Sequence, residues 1–178
     1  MPDFDPKVVI GTVVLFAAVI VFVFIKDAIG KKKGESGEEL EKLRQIIKKL
    51  LPGSGSYTTA YATYTDDKSI GNRITKYYYH YAIAFKPGAL FVVPIKYNGG
   101  EISYQNNGVL LTKENLGRVK SKWGYATFFD KEGKELCTFC VQASNTRVDK
   151  YRPFNIQQKE QAEAYEEFLK DLISQVNG

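Results

Sequence analysis

Cys137 and Cys140 are the only cysteines in this 178-residue chain, and they stand in the C-x-x-C spacing that elsewhere binds zinc or cycles between thiol and disulfide. Their setting argues against both uses. Glu135 to Gln142 reads as a strand, and positions three apart on a strand point to opposite faces, so the two thiols cannot easily share a metal or close a bridge. A zinc site would need two further ligands, and His80 is the only histidine. Both cysteines therefore read as small apolar residues. His80 sits in a tyrosine-rich stretch and reads as a hydrogen-bonded structural residue rather than a general base. Pro52-Gly-Ser-Gly-Ser56 has the glycines of a phosphate loop, but such a loop needs a Lys, a Ser or Thr and then a helix. Here Tyr57-Thr58-Thr59 follows, which is a strand pattern. No Ser or Cys stands in a nucleophile motif, and neither paired carboxylates nor metal-ligand spacing recur. The expectation is a protein that is not an enzyme, with no cofactor and no metal.

Charge placement points to binding. Residues 57–156 hold fourteen Lys and Arg against eight Asp and Glu, whereas 157–178 hold two against five. Arg118, Lys120 and Lys122 alternate, so on a strand they line one face, with Lys113 just before. Lys68, Arg73 and Lys76 surround the expected first turn, with Asp66 and Asp67 beside them. These six basic residues are the candidate anionic-ligand site. A basic, tyrosine-rich sheet also invites nucleic acid, since bases stack on exposed rings. A dense Tyr run such as Tyr77 to Tyr81 more often packs a sheet interior and its rim, so no nucleic-acid partner is expected. Trp123 with Gly124 marks a strand end and reads as core or rim packing.

The elements that position these residues follow from periodicity. Val8 to Ile25 is eighteen consecutive uncharged residues, sixteen of them Val, Ile, Leu, Phe or Ala. A helix of that length spans about 27 Å, close to the hydrocarbon core of a bilayer, so residues 8–25 are expected to be a single transmembrane helix behind a short flank, 1–7. Lys26, Lys31, Lys32 and Lys33 follow it against Lys7 before it, which places the N-terminus outside and the C-terminal part in the cytoplasm of a cell-membrane protein. A cleaved secretory signal fits less well, because the start is net acidic and the apolar run is long. Residues 26–56 form a basic juxtamembrane segment with a helix from about Glu38 to Leu51, opened by Ser36 and Glu39 as a capping box and stopped by Pro52-Gly53. Leu40, Leu43, Ile47 and Leu50 give it one apolar face, whose partner is the following domain, a second copy or the membrane surface.

From Tyr57 the period becomes two. Strands are expected at Tyr57 to Thr65, Lys76 to Phe85, Ala89 to Tyr97, Glu101 to Gln105, Val109 to Thr112, Leu116 to Lys122, Gly124 to Phe129 and Glu135 to Gln142, separated by turn residues. A 3.6 period returns from about Gln157 to Gln175, with Ala162, Tyr165, Phe168, Leu169, Leu172, Ile173 and Val176 on one face. About seven short antiparallel strands closed by one amphipathic C-terminal helix, over residues 57–178, resemble the pleckstrin-homology-like fold. The resemblance implies an α+β, mainly β architecture, an open barrel whose end is plugged by the last helix. It also implies that Lys68, Arg73 and Lys76 lie where lipid-binding members hold phosphoinositide head groups.

The function expected on these grounds is a membrane-anchored cytoplasmic docking module for a protein or peptide partner near the inner leaflet. The alternatives are an anionic-lipid-binding domain, or an envelope domain if the topology is reversed.

Overall fold

Leucine and isoleucine recur every three or four residues between Leu40 and Leu50, the spacing that gives a helix one apolar stripe. The structure, a computed structural model that describes residues 36–70, 73–98, 101–145 and 156–178, shows helix α1 at Ser36–Leu50. Glu38 and Glu39 occupy its first turn and Lys48 and Lys49 its last, which complements the helix dipole. Gly53, with φ 86°, takes the left-handed conformation just past its end and leads into a short 3₁₀ turn at Ser54–Ser56.

The strands are β1 (Thr58–Ile70), β2 (Arg73–Lys86), β3 (Ala89–Asn98), β4 (Glu101–Tyr104), β5 (Val109–Thr112), β6 (Leu116–Lys122), β7 (Tyr125–Asp130), β8 (Glu135–Phe139), β9 (Ser144–Asn145) and β10 (Ile156–Gln157). Helix α2 covers Lys159–Asn177. One sheet has the order β1-β2-β3-β4, with β5 sharing the outer side of β3: β4 pairs with its Ile95 to Asn98 half and β5 with its Ala89 to Val92 half. The second sheet is β6-β7-β8, and β9 pairs with β10. Thr63 and Cys140 join the first two sheets through reciprocal backbone bonds of 3.0 and 2.9 Å.

Both faces of the first sheet are covered, which accounts for the unbroken apolar run at the end of β2. Ile83 and Phe85 face the second sheet and α2, in a core with Leu90, Val119, Phe128, Phe139, Tyr165, Phe168 and Leu172. Ala82 and Ala84 face the other way, against Leu40, Leu43, Ile46 and Ile47 of α1. Small alanines at those two positions let the helix approach the sheet. Each fully buried Leu or Ile of that stripe contributes on the order of 1.5–3 kcal/mol of apolar burial. Of the three partners open to the α1 stripe, it takes the neighbouring sheet, and residues 36–178 form one compact unit.

The register of β6 depends on Gly117. A bulge between Leu116 and Arg118 lets Leu116 and Val119, three apart, both point into the core. A Cβ at Gly117 would collide with the Asp130 carbonyl. Beyond the bulge Arg118, Lys120 and Lys122 all face outward.

The fold class expected from the sequence needs correction. No helix among the described residues is long and apolar enough to cross a membrane: α1 and α2 are amphipathic and each buries one face on the sheets. The expected transmembrane helix at 8–25 lies outside the described residues, as do the flank 1–7 and residues 26–35. In place of about seven strands capped by one helix, the described residues contain ten strands in three sheets and two packed helices. The β1 and β2 strands run to Ile70 and from Arg73, well past the expected turn, because their residues stay paired to the tip.

Candidate functional site

Alternation along β2 puts Tyr77, Tyr79, Tyr81, Ile83 and Phe85 on one face. Ile83 and Phe85 are buried in the core, and Tyr81 is half-buried against Phe139, with ring centroids 5.6 Å apart. Further toward the hairpin tip the second sheet no longer covers this face, and Tyr79 and Tyr77 are 40% and 44% exposed. The result is an open cleft of about 990 Å³ whose floor is the three tyrosines. Val92 and Pro94 of β3, Val109 and Leu111 of β5, and Leu136 and Cys137 of β8 are among the residues of its wall, and the exposed Lys96 lines it too. Tyr64 of β1 braces the floor, stacking on Tyr79 at 6.0 Å and meeting Tyr125 edge-on at 5.8 Å.

Two titratable groups in the cleft, Cys137 and Tyr81, are held neutral. Burial, reinforced by the Glu135 carboxylate, pushes the Cys137 thiol up to about 12, and burial likewise pushes the Tyr81 phenol up to about 12. A protonated thiol is a poor nucleophile and a poor metal ligand. Cys140, also a free thiol, is buried on the β1 side, where its Sγ donates to the Thr63 carbonyl at 3.4 Å. His80 faces away from the tyrosine floor, its Nδ1 bonded to the Tyr61 hydroxyl, and burial lowers its pKa. The cleft thus offers aromatic surface, neutral hydroxyls and backbone groups, which is chemistry suited to holding an extended chain.

The outer backbone edge of β1 lies outside that cleft. Tyr61 and Thr63 direct their N–H and C=O groups away from β2, to Gln158 and Cys140. By alternation Thr65 and Asp67 direct theirs to the same side, and no described strand pairs with them there.

The chain matches no family model, no curated protein and no solved structure. Its functional reading rests on geometry.

The basic residues singled out from the sequence fall into separate places. Lys68 and Arg73 share the Tyr77 face, with Lys68 Nζ 5.3 Å from the Tyr77 ring centroid and 3.8 Å from Asp66. Lys76 lies on the opposite face by register, 3.5 Å from Asp67. The hairpin therefore does not converge these three cations, and two carboxylates already accompany them. Arg118, Lys120 and Lys122 do share one outward face of β6, lying over aromatic rings: Arg118 and Lys120 over Phe129 at 4.6 and 5.5 Å, and Lys122 over Trp123 at 4.2 Å.

Trp123 itself corrects the expectation of core or rim packing, being 86% exposed at the tip of the β6–β7 hairpin. The signal lay in its spacing: Trp123-Gly124 is a two-residue connection between strands, and such turns expose their central side chains. Val109 and Leu136 were also missed, because a single apolar residue in a short strand does not reveal whether another sheet covers it.

Proposed function

We propose that this domain is a docking module whose tyrosine-lined cleft receives an extended segment of a protein or peptide partner. The observation that carries the proposal is the continuation of the Tyr77-Tyr79-Tyr81 face beyond the cover of the second sheet, leaving large aromatic surface in a formed concavity. Pockets of this size lined by aromatic groups with a few polar ones are the usual form of a binding site. Residues two apart on β2 lie about 6.6–6.8 Å apart, the repeat of an extended peptide, so apolar side chains at alternate ligand positions match the floor. The exposed Lys96 favours an acidic residue at one flank.

Selection of a displayed peptide library on the full chain, followed by calorimetric titration of the enriched sequences, tests the proposal. Enriched peptides are expected to carry apolar residues at every second position. They should bind Tyr79→Ser about tenfold more weakly, on the order of 1.4 kcal/mol. Failure to enrich any sequence, or equal affinity for the wild-type and Tyr79→Ser chains, contradicts it.

A further inference from the structure

The β6–β7 hairpin places a tryptophan at its exposed tip, outside the hydrophobic core. Trp123 has φ 52° and Gly124 φ 80°, a turn with both central residues in the left-handed region, which a bulky side chain occupies only at a cost. Asparagine or glycine would fill Trp123's position without that cost. The indole is 86% exposed, and the Lys122 ammonium of the preceding residue lies over it at 4.2 Å. Strain that an exposed side chain imposes without packing in return points to a partner outside the chain.

The chemistry of that partner is set by what stands behind the tip. Lys122, Lys120 and Arg118 descend from Trp123 at successive outward positions of β6, and the described residues give none of the three a carboxylate partner. The row spans about 13 Å from Lys122 to Arg118 at strand spacing. An indole combines an apolar body with a polar N–H and settles at the boundary between lipid and water, and lysines and arginines beside it are attracted by anionic head groups.

We infer that the β6–β7 hairpin is a contact site for an anionic lipid surface, with Trp123 entering the head-group boundary and Lys122, Lys120 and Arg118 binding lipid phosphate or carboxylate. Nucleic acid and acidic protein share the negative charge, but an exposed indole at a hairpin tip, with cations beside it and in a row along one strand face, fits a planar boundary best. The site is separate from the tyrosine cleft and does not depend on what that cleft holds.

Trp123 is the only tryptophan in the chain, so its own emission reports the contact. The full chain is titrated with vesicles of phosphatidylserine and phosphatidylcholine, with vesicles of phosphatidylcholine alone, with polyglutamate and with duplex DNA. A blue shift with loss of iodide quenching only for the phosphatidylserine vesicles is expected. Lys120→Glu/Lys122→Glu should weaken it about tenfold or more, and added salt should weaken it too. Circular dichroism of that variant, matching the wild-type chain, excludes unfolding as the cause; if it does not fold, Lys120→Gln/Lys122→Gln replaces it. An unchanged emission with anionic vesicles overturns the inference, as does a shift that survives charge reversal. An equal response to polyglutamate or DNA overturns the choice of lipid.

Discussion

Gln158 is bonded to Tyr61 as one strand is bonded to its neighbour. Its side-chain Oε1 accepts the Tyr61 N–H at 2.8 Å, and its Nε2 donates to the Tyr61 carbonyl at 2.8 Å and to the Gln142 carbonyl at 2.9 Å. The amide is 2% exposed and joins residues 97 apart in sequence. Asn177 repeats the device at the other end of α2, where its Oδ1 accepts the Val119 N–H at 3.0 Å and its Nδ2 donates to the Val119 carbonyl at 2.7 Å. Helix α2 is thereby tied at its start to β1 and at its finish to β6, one strand from each of the two larger sheets.

Gln158→Leu keeps the volume and removes all three bonds, leaving the buried N–H and C=O of Tyr61 without their partner. Each such group costs about 1–3 kcal/mol, so a loss of roughly 2–5 kcal/mol in unfolding free energy is expected by chemical denaturation. A loss under about 0.5 kcal/mol would show that the bonds are replaced.

Trp123→Asn should stabilise the chain, since Asn-Gly is the preferred pair for a turn with two left-handed residues. Relief of about 1 kcal/mol of strain corresponds to a melting temperature higher by about 2–4 °C in a chain of this size. The same substitution should weaken vesicle association in a flotation assay. A lower melting temperature would mean that the indole stabilises the fold, and the strain argument would fail.

Stability should fall on both sides of neutral pH. Cys137 and Tyr81 have folded-state values raised to about 12 from 9.0 and 10.0, so the unfolded chain loses these protons first. Their contribution is complete below about 9 and declines as pH rises toward 12. His80 is lowered by burial from its ordinary 6.5, so the unfolded chain takes up its proton first as pH falls, and stability declines below about 6.5. Urea denaturation from pH 5 to 10.5 measures both limbs. Cys137→Ala should flatten the alkaline limb. An alkaline limb unchanged in that variant would show that the thiol is not the titrating group.

Much of this architecture was legible because local patterns agreed with the final environment. The β5 and β6 boundaries follow from the turn residues that flank them, and the common face of Tyr77, Tyr79 and Tyr81 from period-two alternation. The outward row of Arg118, Lys120 and Lys122 is alternation again, undisturbed because the Gly117 bulge lies before it. What stayed hidden depended on distant partners. Ala82 and Ala84 do not announce that a helix covers them, and Gln158 does not announce Tyr61. The division between Lys76 and Lys68 with Arg73 was available in principle, since pairing to the hairpin tip puts Lys76 on the other face. It was missed because the charged, exposed tip reads as loop.

The docking cleft is tested most directly by amide hydrogen exchange on the full chain, with and without a peptide selected against it. The account predicts slower exchange at Tyr77 to Tyr81 on the cleft floor and at Val109 to Leu111 on its wall. Protection confined to other segments, or none at saturating peptide, would contradict it.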